Sequence, residues 1–191
     1  MEQFQAEVWV SDCYSAQLKA PAKHLQLCLA HQLRNLQAVV EACPSLLWPR
    51  ALQILFRSAI HLHHRRAQLA PDQFAAEVAR LERVCDRLLQ RSLAPPDAQR
   101  LQRRYRKHRH RLFVFLYHPE VAPTNNVAER ALRPSVIHRK IIGCFRSAWG
   151  ARAYAALASV IDTAELSGVQ AFTAIQTLLG PPSLPIPTTG E

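Results

Sequence analysis

The sequence predicts a mainly α-helical protein with a small β component. Apolar residues recur at helical spacing over most of the chain, and residues 49–117 form a continuous block of such patterns. The first 142 residues contain no glycine, so few left-handed turns or tight hairpins are available there, which argues against a β-rich fold. The length of 191 residues suits one domain with a hydrophobic core.

Two short apolar runs near the start are the strand candidates. Residues 7–10 are rich in β-branched and aromatic types, which predicts a short buried strand that ends at Ser11 and Asp12. Residues 25–30 predict a second strand, and from His31 the spacing changes to that of a helix. The expected order is therefore strand, strand, helix.

Helices are predicted over the rest of the chain at residues 50–66, 71–92 and 96–117. Asn125 or Asn126 caps a further helix that runs to about Arg133 and ends before Pro134. Residues 150–167 and 170–179 predict two more helices, with Gly168 closing the first. The tail at 181–191 has four prolines and is expected to be disordered.

Composition indicates a nucleic-acid partner. Lys and Arg total 24 against 14 acidic residues, which gives a formal net charge of +10. We find no signal peptide, lipid anchor or apolar run long enough for a membrane span, so we expect a cytoplasmic bacterial protein that does not bind membranes. The five cysteines are scattered and odd in number, and we expect them to be reduced.

Asp12 directly follows the first predicted strand, where an outward-pointing carboxylate is a common catalytic arrangement. The alternative is an aspartate that only forms the turn after the strand.

A second carboxylate lies in the segment APTNNVAERALRPSVIHRK, residues 122–140. Glu129 has Asn125 and Asn126 about one turn before it and Arg133 one turn after it, and residues at these spacings share a helix face. Amides and guanidinium groups around a carboxylate suit metal, water and phosphate. The alternative is a capped helix with an ordinary Glu–Arg pair.

Residues 141–168 combine a glycine-containing turn with a long apolar helix pattern, most of which we expect in the core. Arg146 and the backbone amides at the start of that helix form a candidate phosphate site, because helix N-termini attract anions.

The densest positive charge lies in residues 100–111, RLQRRYRKHRHR. A continuous helix would place four basic side chains along one stripe, which we interpret as a DNA-binding surface; a solubilising face is the alternative. The four residues are Arg100, Arg104, Lys107 and Arg111.

Cysteine and histidine spacings carry weaker signals. Cys28 and His31 form a C-x-x-H pair, which we expect to support the predicted site by packing, with metal binding as the alternative. His61 and His64 share a helix face, but a solvated basic surface explains them better than chelation. The scattered Cys and His residues disfavour a helical zinc module.

Three segments in order resemble the DDE transposases of the insertion-sequence-66 family. They are SDCYSA at 11–16, CLAHQLRNL at 28–36, and PTNNVAERALRPSVIHRKIIGCFRSAWGARAYAALASVIDTAELSG at 123–168. The resemblance covers nearly the whole chain. The third segment carries most of it, because a run of that length with this internal pattern rarely arises by chance.

The resemblance implies a partial RNase H-like catalytic domain over residues 1–180, with the helical insertion at about 49–117. In the family, two aspartates and one glutamate hold two Mg²⁺ or Mn²⁺ ions that act on transposon ends and target DNA. Asp12 resembles the second carboxylate and Glu129 the third. Basic residues that would offset phosphate charge are Arg130, Arg133, Arg139, Lys140 and Arg146.

The sequence departs from the family pattern at the first carboxylate, whose strand would lie upstream of residue 1. The other aspartates have no strand-like setting; they are Asp72, Asp86, Asp97 and Asp162. We therefore expect a truncated transposase that is inactive alone and that has low stability or forms homo-oligomers through an open strand edge. The alternative is a non-catalytic DNA-binding or regulatory protein.

Overall fold

A computed structural model describes residues 5–180 of the chain. The fold is mostly helical, at 69%, with a small two-stranded parallel sheet, which confirms the predicted balance of helix and strand. The predicted disorder at 181–191 lies outside the described residues. The strands and helices are β1 (Ala6–Ser11), β2 (Ala22–Leu27), α1 (Leu29–Ala42), α2 (Leu47–His64), α3 (Pro71–Gln90), α4 (Pro96–Lys107), α5 (Asn126–Ile142), α6 (Ala148–Leu166) and α7 (Ala171–Leu179).

The chain divides into two compact units, Met1–Val127 and Ala128–Glu191, which we describe separately. The first unit contains the sheet and the helices α1 to α4. The second contains nearly all of α5 together with α6 and α7.

The sheet of the first unit pairs β1 with β2 in parallel, with Ala6 opposite Ala22 and Ser11 opposite Leu27. Strand β2 occupies residues 22–27, so the prediction of 25–30 was displaced toward the C-terminus. The start of the strand was missed because the prediction relied on a run of apolar residues, whereas Lys23 and His24 are polar and exposed. Lys23 forms an ion pair with Glu7 on β1, with Nζ 2.7 Å from Oε2.

The core of the first unit is built around aromatic side chains from three segments. Phe56 on α2 is fully buried and meets Tyr105 on α4 and Phe113 edge-on, with ring centroids 5.7 and 6.1 Å apart. Trp48 at the start of α2 donates from Nε1 to the carbonyl of Leu88 on α3 at 2.9 Å. These contacts hold α2, α3 and α4 around one apolar interior.

A buried glutamine joins the sheet to the end of the helical block. Gln26 on β2 donates from Nε2 to the carbonyl of Leu112 at 3.1 Å, and its Oε1 accepts the N–H of Phe115 at 3.1 Å. Because buried polar groups are costly when unpaired, these bonds fix the position of residues 112–115 against the strand.

The predicted helix at 96–117 was too long. Helix α4 ends at Lys107, and the chain continues through short 3₁₀ turns at Arg109–Arg111 and Val114–Leu116. The physical reason is the run of apolar residues that follows, because Leu112, Phe113, Phe115 and Leu116 are all buried and one helix face cannot bury so many adjacent positions.

The prediction that Pro134 ends a helix was also wrong. Helix α5 continues through Pro134 to Ile142. A proline inside a helix removes one backbone hydrogen bond and clashes with the preceding turn, at a cost of about 3 kcal/mol.

The second unit packs α5 against α6 through an aromatic cluster. The rings of His138 and Tyr154 are stacked with centroids 4.6 Å apart, and Phe145 lies 5.3 Å from Tyr154. The hydroxyl groups of Tyr154 and Ser135 are 3.3 Å apart. As predicted, Gly168 follows α6 in a left-handed conformation, with φ of +72°, which a residue with a side chain rarely adopts.

Candidate active site

The carboxyl ends of β1 and β2 lie at the same edge of the sheet because the strands are parallel. Asp12 follows β1, and Cys28 follows β2 as the N-cap residue of α1. The N–H of Cys28 donates to the carbonyl of Ser11 at 2.7 Å. This bond joins Cys28 itself to Ser11, the residue before Asp12, so both predicted site residues lie at this edge of the sheet.

A third segment reaches the same edge from far along the chain. The N–H of Leu29 donates to the carbonyl of Pro123 at 2.9 Å, and the N–H of Asn125 donates to the Sγ atom of Cys28 at 3.4 Å. These contacts bring the residues just before α5 to the ends of both strands. The sequence alone did not indicate the role of Pro123 or of the Cys28 sulfur in this junction.

Asp12 is half-buried, and its carboxylate is oriented by a local bond. Its Oδ1 accepts the N–H of Tyr14 at 2.9 Å, and the Ser11 hydroxyl donates to the Asp12 carbonyl at 2.9 Å. This is the turn-forming arrangement that the sequence left open as an alternative. One carboxylate oxygen is thus held in place by the turn.

Asn125 has the most unusual polar environment at this edge. Its Oδ1 atom is buried, and the described residues give it no hydrogen-bond partner. A buried carbonyl oxygen without a partner costs free energy, and such groups usually meet a water or an ion. Asn126 begins α5, and Glu129 lies in the first turn of that helix.

The two predicted catalytic carboxylates belong to different units, Asp12 to the first and Glu129 to the second. Their approach to within about 10 Å, the span of a two-metal site, therefore stays a prediction. Within residues 5–180, no group of three or more His, Cys, Asp and Glu side chains is arranged to hold a metal ion. His31, on the first turn of α1, is half-buried.

The basic residues of the second unit are exposed, but they do not share one helix face. Arg133 and Lys140 lie four and eleven positions after Glu129, so helical geometry places all three on one stripe of α5. Arg139 points instead into a groove of about 540 Å³ between α5 and α6. Arg146 precedes α6, where the Ser147 hydroxyl accepts the N–H of Gly150 at 3.0 Å and so occupies one of the helix-start amides.

The predicted basic stripe at 100–111 is interrupted. Arg100, Arg104 and Lys107 lie on α4, whereas Arg111 belongs to the following 3₁₀ turn because α4 ends at Lys107. Arg100 forms an ion pair with Asp97 at 2.8 Å. Arg100 and Arg104 line a groove of about 450 Å³ between α1 and α4.

One arginine within the same stretch makes contacts that stabilise the fold. Arg109 binds both Asp86 and Glu82 on α3, and its guanidinium lies 5.2 Å from the ring centroid of Phe113. Burial acts to lower the pKa of Arg109, but the Asp86 hydrogen bond and the neighbouring negative charges together raise it above its ordinary value. Arg109 therefore ties the end of the helical block to α3.

Comparison with known proteins places the chain in a family. The family model described as "Transposase IS66 family" matches residues 1–153. No curated protein and no solved structure matched the chain. None of the helices within residues 5–180 combines the length and hydropathy that a membrane span requires. Because the family match covers most of the sequence, the chain belongs to the IS66 family of transposases, which implies a role in DNA transposition with DNA as its partner.

Proposed function

We propose that this chain forms part of the metal-dependent catalytic core of an IS66 transposase, with Asp12 and Glu129 as two of its metal-binding carboxylates. The core would be a partial RNase H-like domain over residues 1–180, with the helical insertion at about 49–117. The observation that carries this proposal is the junction of three segments, in which Cys28 bonds to Ser11 and Asn125 bonds to Cys28. Through Cys28, this junction links Ser11, which precedes Asp12, to Asn125, which precedes α5.

The proposal is supported by the chemical type of the oxygen atoms that Asp12 and Asn125 carry. Asp12 contributes a carboxylate held by the Tyr14 N–H, and Asn125 contributes a buried carbonyl oxygen without a partner in the described part of the chain. Mg²⁺ and Mn²⁺ prefer such oxygen ligands. Two bound ions would activate an attacking oxygen and stabilise a leaving oxygen at a phosphodiester.

The protein residues in this proposal bind and orient the reacting groups. Asp12 and Glu129 would hold the ions, and Asn125 would add a neutral oxygen ligand. Arg133 and Lys140, on the Glu129 stripe of α5, would neutralise phosphates of the DNA strand being cut. Arg130, Arg139 and Arg146 would contact DNA from other directions, as would Arg100 and Arg104.

We further infer that the 191-residue chain does not cleave DNA alone. The family chemistry needs three carboxylates, and the remaining aspartates have other settings. Asp86 and Asp97 form ion pairs with arginines, and Asp72 and Asp162 lie on helices. Two carboxylates would bind one ion weakly, and small errors of geometry at such sites cost orders of magnitude in rate.

A Mn²⁺ titration tests the carboxylate assignment. We expect Asp12→Asn and Glu129→Gln each to weaken Mn²⁺ binding by at least about tenfold, because each removes a charged oxygen ligand. The matched control, Asp72→Asn on the exposed first turn of α3, should change binding by less than about twofold. Equal Mn²⁺ affinity in all four proteins would refute the assignment and leave a non-catalytic DNA-binding role.

A cleavage assay on the same proteins, with a transposon-end duplex and Mg²⁺ or Mn²⁺, tests the inferred incompleteness. We expect no cleavage above background. Robust cleavage by the original chain that disappears in Glu129→Gln would show that the chain is a complete enzyme.

A further inference from the structure

A second basic surface lies on the helical block of the first unit. A groove of about 580 Å³ runs between α2 and α3. Its floor is apolar, with Leu62 and Leu81 buried beneath it and Leu69 half-buried at one end. The groove is therefore concave, open to solvent and shaped by well-packed helices.

Two arginines and a histidine line the wall of the groove formed by α2 and the residue that follows it. Arg57 and His61 lie four residues apart on one face of α2, and Arg65, the C-cap residue of that helix, lines the same wall. All three are exposed. From the sequence, only His61 of these three residues was singled out, as part of a solvated basic surface with His64.

The opposite wall does not neutralise this charge. On α3, Arg80 is paired with Glu77, with Nη2 2.8 Å from Oε2, so these two charges cancel. Within residues 5–180, no carboxylate forms an ion pair with Arg57 or Arg65. The groove thus keeps a net positive charge along α2.

Its dimensions fit a nucleic-acid strand. The eight residue-to-residue steps from Arg57 to Arg65 correspond to about 12 Å along a helix axis, and one DNA strand carries a phosphate per ~3.4 Å of duplex axis, so the row matches about three to four phosphates. The apolar floor suits the sugar faces between phosphates. A row of cations used only for solubility would not need a concave apolar floor.

We propose that the α2–α3 groove binds the phosphodiester backbone of duplex DNA, as a contact surface distinct from α4 and α5. The choice of DNA over other polyanions rests on the proposed function in transposition. Contacts to phosphates position DNA without reading its sequence. The groove would therefore hold flanking or target duplex with little sequence preference.

The test is the salt dependence of binding to a mixed-sequence duplex, measured by fluorescence anisotropy. For Arg57→Gln with Arg65→Gln, we expect the slope of log K against log salt to fall in magnitude by about 2, and affinity at ~0.1 M salt to drop roughly fifty-fold. The control, Lys19→Gln with Arg34→Gln, removes the same charge from exposed positions outside the groove. Its slope should change by less than about 0.5.

The outcomes separate this inference from the proposed function. If the original chain binds no DNA, both the groove proposal and the proposed function fail. If the two double variants lose DNA affinity equally, only the groove proposal fails. Preferential binding of duplex RNA also overturns it. The charge-conserving double variant Arg57→Lys with Arg65→Lys should restore the slope of the original chain. If circular dichroism shows that the double Gln variant does not fold, the single variant Arg65→Gln replaces it, with an expected slope change of about 1.

Discussion

The two compact units differ sharply in how many of their large apolar side chains are buried. The first unit buries Phe56, Tyr105, Phe113 and many aliphatic residues in one core, whereas Ala164 is the one buried hydrophobic residue found in the described part of the second unit. Large apolar residues remain exposed on the second unit: Leu132, Val136, Ile137, Ile141, Ile142, Trp149, Leu157, Leu166, Val169, Phe172, Leu178 and Leu179. A short helical unit has too little interior to bury them. The hydrophobic core of the described residues therefore lies in the first unit.

The largest expected difference between the units concerns matched phenylalanines. Phe56→Ala in the first unit should lower the free energy of unfolding by about 3–5 kcal/mol, because it leaves a cavity between Tyr105 and Phe113. Phe172→Ala should change it by less than about 0.5 kcal/mol, because Phe172 is 70% exposed. Urea denaturation followed by circular dichroism measures both. Similar losses in the two variants would contradict the contrast in packing.

A smaller difference is expected for matched glutamines. Gln26→Leu should destabilise the protein by about 1–3 kcal/mol, because the buried N–H of Phe115 and carbonyl of Leu112 lose their partner. Gln176→Leu on the exposed surface of α7 should fall within about 0.5 kcal/mol of the unaltered chain. The same denaturation experiment applies. A neutral Gln26→Leu would mean that the sheet and residues 112–115 are held together by apolar contacts alone.

The smallest predicted effect is on the pH dependence of stability, and it also arises in the first unit. Burial lowers the pKa of His63, the neighbouring His64 and Arg66 lower it further, and a hydrogen bond with the Phe115 backbone opposes this change. Burial likewise lowers the pKa of His108, together with Arg111 and Lys107. Because the unfolded chain then binds protons more readily than the folded chain, stability should fall as pH drops below the ordinary histidine range.

The His63→Gln variant measures the contribution of one residue to this effect. Its free energy of unfolding should fall less between neutral and mildly acidic pH than that of the unaltered chain, since one proton-linked group is gone. Identical pH profiles for the two proteins would contradict the assignment to His63.

The sequence predicted the helices well where apolar periodicity and end signals agreed. Helix α3 begins at Pro71 as expected, and α6 is followed by Gly168. Errors arose where tertiary contacts overrode local signals. Pro134 lies inside α5 instead of ending it. The basic residues after Lys107 predicted that the helix continues, but α4 ends at Lys107 and the residues that follow, including Leu112 and Phe113, are buried.

The candidate site was predictable as a set of residues but not as an arrangement. Local spacing indicated Asp12 and Glu129, and family resemblance assigned their roles. The bond from Asn125 to the Cys28 sulfur and the buried Gln26 carry no local signal, because each depends on segments far apart in sequence. The α2–α3 groove had a signal in the spacing of Arg57 and Arg65, yet its concave shape depends on the packing of α3.

The junction at the strand ends also governs when the site can form during synthesis. Asn125 contacts Cys28 across 97 positions of sequence, and Phe115 contacts Gln26 across 89. Closing loops of this length carries a large entropic cost that is recovered only when the distant partners have formed contacts. While the chain emerges from the ribosome, the contacts around Asp12 therefore cannot form until the whole helical block and residues beyond 125 have been synthesised. During that interval the two strands have exposed edges, so slower translation of residues 30–125 should increase aggregation of the nascent chain.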